Sequence, residues 1–74
     1  MGNYQSGITI ENIEGYGKRQ KDALRSLDSY LQYHCGVQLS RQDDLYYITT
    51  IDNKRHYVMY DERNGIWRCY FDVQ

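Results

Sequence analysis

The side chains that could do chemistry are few and scattered. The chain has two histidines and two cysteines, namely His34, Cys35, His56 and Cys69. Those types suit a metal ion, but no recognised ligand spacing such as C-x2-C joins them, and no metal site is expected. His34 falls on the apolar stripe of a helix and reads as a packed residue rather than a base. His56 falls at a hairpin tip, where solvent exposure is expected. Cys69 alternates with Trp67 and Phe71 and reads as a small buried hydrophobe. The acidic pairs Asp43-Asp44 and Asp61-Glu62 lie in or beside turns, where carboxylates are ordinarily solvated. Gly15-Tyr16-Gly17 lacks both the Gly-Lys-Ser/Thr ending of a phosphate loop and the dinucleotide-binding spacing. Catalysis needs a nucleophile, a base and an orienting group to converge, and nothing here converges. Neither an enzyme nor a bound cofactor is expected.

What must position these residues is a single small domain. The chain has 74 residues, nine of them tyrosine and none proline, with a net charge of −1. That length supports one domain, residues 1–74, with the polar residues 1–7 frayed. The near-neutral charge provides no general basic field for a nucleic-acid backbone. No segment approaches the ~18 consecutive apolar residues of a membrane span, and no signal peptide is evident. The expectation is a cytoplasmic protein with free thiols and no membrane partner.

The clearest element is a helix over residues 18–34. Ala23, Leu24, Leu27, Tyr30, Leu31 and His34 form its apolar stripe, the spacing of an amphipathic helix. Gly36 stands where a left-handed residue ends a helix. Lys18, Arg19, Lys21 and Arg25 crowd the helix start against its macrodipole, which makes them a secondary candidate site. A short strand is expected over 8–13, broken by the glycines of 14–17, and a strand stub near 37–40. Three further strands are expected over 45–51, 55–61 and 66–73. Asn53-Lys54 and Asn64-Gly65 supply the turns, the second being a strong hairpin signal. The fold expected is α+β: one amphipathic helix packed on a three- to four-stranded antiparallel sheet, in the order β-α-β-β-β. That order of elements resembles the cystatin-like arrangement of a helix cradled by a sheet, a likeness that implies nothing about activity.

Two-residue turns at both positions fix a register. Asn64-Gly65 places Tyr60 opposite Cys69 and Val58 opposite Phe71. Asn53-Lys54 places Ile51 opposite His56, Thr49 opposite Val58 and Tyr47 opposite Tyr60. The helix-facing side then carries Leu45, Tyr47, Val58, Tyr60, Cys69 and Phe71. The other side carries the rows Tyr46–Asp61–Arg68, Ile48–Met59–Tyr70 and Thr50–Tyr57–Asp72. An apolar strip rimmed by Tyr and Arg has the composition of a protein-binding surface.

The function expected is therefore a non-enzymatic protein-binding module, an inhibitor or regulator of the kind made by phages and other mobile elements. Its site would be Tyr46, Ile48, Tyr57, Met59, Arg68 and Tyr70, and its partner another protein or a second copy of itself in a homodimer. The alternative is a single-strand nucleic-acid binder, with sheet tyrosines stacking on bases and Arg55 and Arg68 on phosphates.

Overall fold

The chain is described from a computed structural model, which covers residues 10–50 and 52–73. A 3-10 turn, Ile10–Asn12, leads into strand β1 (Glu14–Gly17) and helix α1 (Gln20–Tyr30), which continues as a π-helical turn, Leu31–Cys35. Four strands follow: β2 (Ser40–Gln42), β3 (Leu45–Thr49), β4 (Arg55–Arg63) and β5 (Ile66–Phe71). They form one antiparallel five-stranded sheet in the order β1-β5-β4-β3-β2. The α+β architecture of one helix on an antiparallel sheet is as expected, with five strands rather than three or four.

The strand before the helix lies where the glycines are expected to break it. Of the strand expected over 8–13, residues 8 and 9 lie outside the described residues, and Ile10–Asn12 is a 3-10 turn. The strand is instead Glu14–Gly17, paired with β5. Helix α1 packs chiefly on β1 and β5, and it comes so close that only glycine fits beneath it. A Cβ on Gly15 would lie 2.3 Å from the Ala23 carbonyl oxygen and 2.4 Å from the Leu27 nitrogen. One on Gly17 would lie 2.5 Å from the Asp22 Cβ. A glycine inside a strand commonly marks such an approach of another backbone.

This tight seat narrows the buried stripe of the helix. Ala23, Leu27 and Leu31 are fully buried, whereas Tyr30 and His34 are exposed. The π-helical turn widens the end of the helix, and Cys35 rather than His34 continues the buried line against the core. His34 stacks on Tyr30 instead, with ring centroids 4.6 Å apart. Gly36 ends the helix with φ of 67°, and the Val37 N–H donates back to the Leu31 carbonyl at 3.1 Å. A left-handed glycine thus closes the helix as expected, the bond reaching one residue further back than usual because the last turn is π-helical.

The β4–β5 hairpin has the expected register, with Val58 opposite Phe71, Tyr60 opposite Cys69 and Arg63 opposite Ile66. Asn64 and Gly65 both take positive φ, at 55° and 80°, as a type I′ turn requires. The β3–β4 register differs. Tyr47 pairs with Tyr57, Ile48 with His56 and Thr49 with Arg55. The cause is a longer turn. The Thr50 N–H donates to the Lys54 carbonyl and the Asn53 N–H to the Thr50 carbonyl, both at 2.9 Å. Asn53 does take the left-handed conformation, at φ 66°, but as the last turn residue rather than the first.

Tyr47 thus meets Tyr57 instead of Tyr60, an odd-numbered slip, and an odd slip turns a strand over. Ile48, expected on the outer strip, is 2 % exposed in the core, and Tyr46 is half-buried on the same side. Leu45, expected inside, is 54 % exposed. Burying the purely apolar isoleucine and leaving the Tyr47 hydroxyl to water is the favourable choice. β2 takes the place of the strand stub expected near 37–40, shifted towards the turn, and is joined to β3 by a tight turn at Asp43-Asp44, both with positive φ. The core gathers Ile10, Ile13, Ala23, Leu27, Leu31, Val37, Ile48, Val58, Cys69 and Phe71, with no buried polar residue among the described ones.

Candidate functional site

α1 covers one face of the sheet. On the opposite face the registers build cross-strand rows. One row is Tyr16–Arg68–Asp61 and the next is Glu14–Tyr70–Met59. A third is Tyr57–Tyr47–Ser40, with Arg55 beside Thr49 beyond it. Apolar atoms reach solvent here at Met59 and Ile66, both 41 % exposed.

Arg68 organises one end. Its Nε donates to Asp61 Oδ1 at 3.2 Å and its Nη2 to Asp61 Oδ2 at 2.8 Å. Its Nη1 donates to Glu14 Oε2 at 2.9 Å, and the guanidinium lies 4.2 Å from the centre of the Tyr70 ring. The Tyr16 hydroxyl donates to the same Glu14. Hydrogen bonding to Arg68 holds the Asp61 carboxyl below its ordinary range. The Glu14 carboxylate, as acceptor, pushes the Tyr16 phenol upward. Three strands are tied through one planar cation whose charge two carboxylates already answer.

Arg55 organises the other end. Its Nη1 donates to Gln42 Oε1 at 2.8 Å and to the Tyr57 hydroxyl at 3.4 Å. Its guanidinium lies 4.4 Å from the centre of the Tyr47 ring, and the Tyr47 and Tyr57 rings are 5.4 Å apart. Open hollows flank the face. One, of about 410 Å³, lies between Tyr16, Asp61, Arg63 and Ile66. The other, of about 430 Å³, lies among Lys54, Arg55, Tyr57 and Asp72.

No protein-family model, curated protein or solved structure matches this chain. The geometry alone therefore carries the functional argument.

Of the residues singled out from sequence, Tyr57, Met59, Arg68 and Tyr70 come together on the outer face. Ile48 does not, being core, and Tyr46 lies on the helix side with Arg41 5.7 Å from its ring centre. Tyr47 takes their place. The signal for it was available: in Tyr46-Tyr47-Ile48 only the isoleucine lacks a polar atom, so it has the strongest claim on the core. Tyr16 and Glu14 join the site because their segment is a strand and not a break.

Lys18, Arg19, Lys21 and Arg25 are exposed at the helix start. Asp22 sits among them, 2.9 Å from Arg19 and 3.9 Å from Arg25. The Arg19 hydrogen bond lowers its carboxyl below the ordinary range, and two of the four cations are answered locally.

His56 Nδ1 lies 3.0 Å from the Asp72 carbonyl oxygen, which can only accept, so this nitrogen carries the proton. Cys35 and Cys69 are free thiols, and burial pushes that of Cys69 up to about 12. Among the described residues no group of three or more His, Cys, Asp or Glu is placed to hold a metal ion. No helix among them is long and apolar enough to cross a membrane.

Proposed function

We propose that this protein is a non-enzymatic binding module that docks the outer face of its sheet on a partner protein and acts by occupying that partner's surface, as an inhibitor or regulator in the cytoplasm. The docking residues are Tyr47, Tyr57, Met59, Arg68 and Tyr70. The observation that carries this reading is the bracketing of Arg68 by Glu14 and Asp61 over the Tyr70 ring. A phosphate-binding arginine must keep its charge for the phosphate. This one is spent within the face. What remains at the centre is tyrosine and methionine surface with fixed geometry, the composition that anchors protein interfaces.

The test is capture from lysate on the immobilised protein, repeated after nuclease treatment and at raised salt. A partner held through this face survives both treatments and is lost in a folded Tyr57→Ala, Tyr70→Ala double variant. Each buried tyrosine anchor is worth roughly 2 kcal/mol or more, so together they should weaken binding by about a thousandfold. A catch that disappears with nuclease, and falls steeply with salt, would instead identify a single-strand nucleic-acid binder. Full retention by the double variant would move the site to Lys18, Arg19, Lys21 and Arg25.

A further inference from the structure

The two arginines of the outer face are built alike and satisfied differently. Each guanidinium lies over a tyrosine ring, Arg68 at 4.2 Å from the centre of Tyr70 and Arg55 at 4.4 Å from that of Tyr47. Each spends Nη1 on a side-chain oxygen of another strand, Glu14 Oε2 of the adjacent β1 at 2.9 Å for Arg68 and Gln42 Oε1 of β2, beyond β3, at 2.8 Å for Arg55. The parallel stops at the Nε/Nη2 edge. In Arg68 this edge grips both oxygens of Asp61. In Arg55 it has no acceptor among the described residues, and none of their ion pairs involves Arg55.

The Nε/Nη2 edge of arginine is a planar fork that matches a carboxylate in two parallel hydrogen bonds. Gln42, Tyr57 and Tyr47 hold the Arg55 fork in place before anything binds, so ordering it costs a ligand little. The hollow it borders also carries Lys54.

We propose that the Nε/Nη2 edge of Arg55 takes a carboxylate of the bound protein, as the same edge of Arg68 takes Asp61. This rests on the outer face being a protein-docking surface. Arg55 then sets specificity: the tyrosines and Met59 accept any apolar patch of suitable shape, and Arg55 selects a patch with an acidic group at one end. The occupant is an aspartate or glutamate side chain or a chain-terminal carboxylate.

The full nitrogen-labelled chain is titrated with four probes: a glutamate-rich peptide blocked at both ends, a glutamine-rich peptide with a free terminal carboxylate, inorganic phosphate and oligothymidylate. The Arg55 Nε signal and the Tyr47 and Tyr57 ring signals should move with one or both peptides, and which peptide moves them names the source of the carboxylate. The Arg68 Nε signal should stay still, its fork being filled. Arg55→Gln should weaken the peptide by about two- to fivefold, the size of a solvent-exposed ion pair. Arg55→Lys should fail to restore it, because a lysine presents no planar fork.

Peptide shifts confined to Lys18 and Lys21 with Arg55 unmoved would overturn the assignment. So would phosphate or oligothymidylate holding Arg55 more tightly than either peptide. The docking face itself is judged separately, by the Tyr57→Ala, Tyr70→Ala capture. A partner lost in that variant but unaffected by Arg55→Gln would sink the anchor and leave the face standing.

Discussion

Cys69 has a thiol that water does not reach, and burial lifts it to about 12. At pH 8 its reactive thiolate is on the order of one part in ten thousand. Cys35, at the helix end, is only partly buried. A thiol reagent at pH 8 should therefore label one site per native chain, Cys35, and both after unfolding. Rapid labelling of Cys69 in the native protein would contradict the core described above. The same shift has a stability consequence. Because the folded thiol is raised above its unfolded value, its contribution is complete below that unfolded value, near 9, and is lost as pH rises towards about 12. Alkaline unfolding should begin earlier in the parent than in a Cys69→Ala variant compared at equal neutral-pH stability. The burial of Cys69 was legible from its alternation with Trp67 and Phe71. The outward turn of His34 was not, because the π-helical turn that carries Cys35 inward leaves no mark in the helical spacing.

Strand β1 and helix α1 meet through two missing side chains. Gly15→Ala should be the most damaging single substitution in the sheet, because its Cβ would strike helix backbone at 2.3 and 2.4 Å and backbone cannot yield as a side chain can. A loss of about 3 kcal/mol or more is expected, at or beyond the upper end of overpacking effects. Gly17→Ala should cost less only because its clashes are longer, at 2.5 Å to the Asp22 Cβ and 2.8 Å to the Ala23 nitrogen. Gly36→Ala meets nothing but must hold φ near 67°, which costs about 1–2 kcal/mol. Urea unfolding midpoints should rank the three in that order, and a mild Gly15→Ala would mean that the helix sits farther from β1. The helix and the β4–β5 hairpin were legible because their signals are local: a stripe of apolar residues, an Asn-Gly pair. β1 was not. Glycine disfavours a strand locally, and only the helix lying across it explains why glycine is required. The β3 register failed for a related reason. Asn53 marks a left-handed residue but does not say whether it is first or last in its turn, and that single ambiguity turns Tyr46, Tyr47 and Ile48 over together.

At the scale of the molecule, a second copy can offer the outer face the same tyrosines and Met59 that a foreign partner would. Sedimentation equilibrium from micromolar to millimolar concentration should show self-association that Tyr57→Ala with Tyr70→Ala abolishes. A monomer throughout that range would reserve the face for a foreign protein. The sheet order β1-β5-β4-β3-β2 also has a consequence in time. Strands β2 to β5 each lie beside a neighbour in sequence and can pair as soon as both are made. β1 is synthesised before them and pairs only with β5, the last strand to emerge, so its contacts are the most distant along the chain and the slowest to close. Until then the helix has no finished sheet to settle on, and the apolar line of Ala23, Leu27 and Leu31 stays open to other chains. A nascent copy is thus most vulnerable in the interval between making its helix and making β5, and a chaperone acting on this protein would act there.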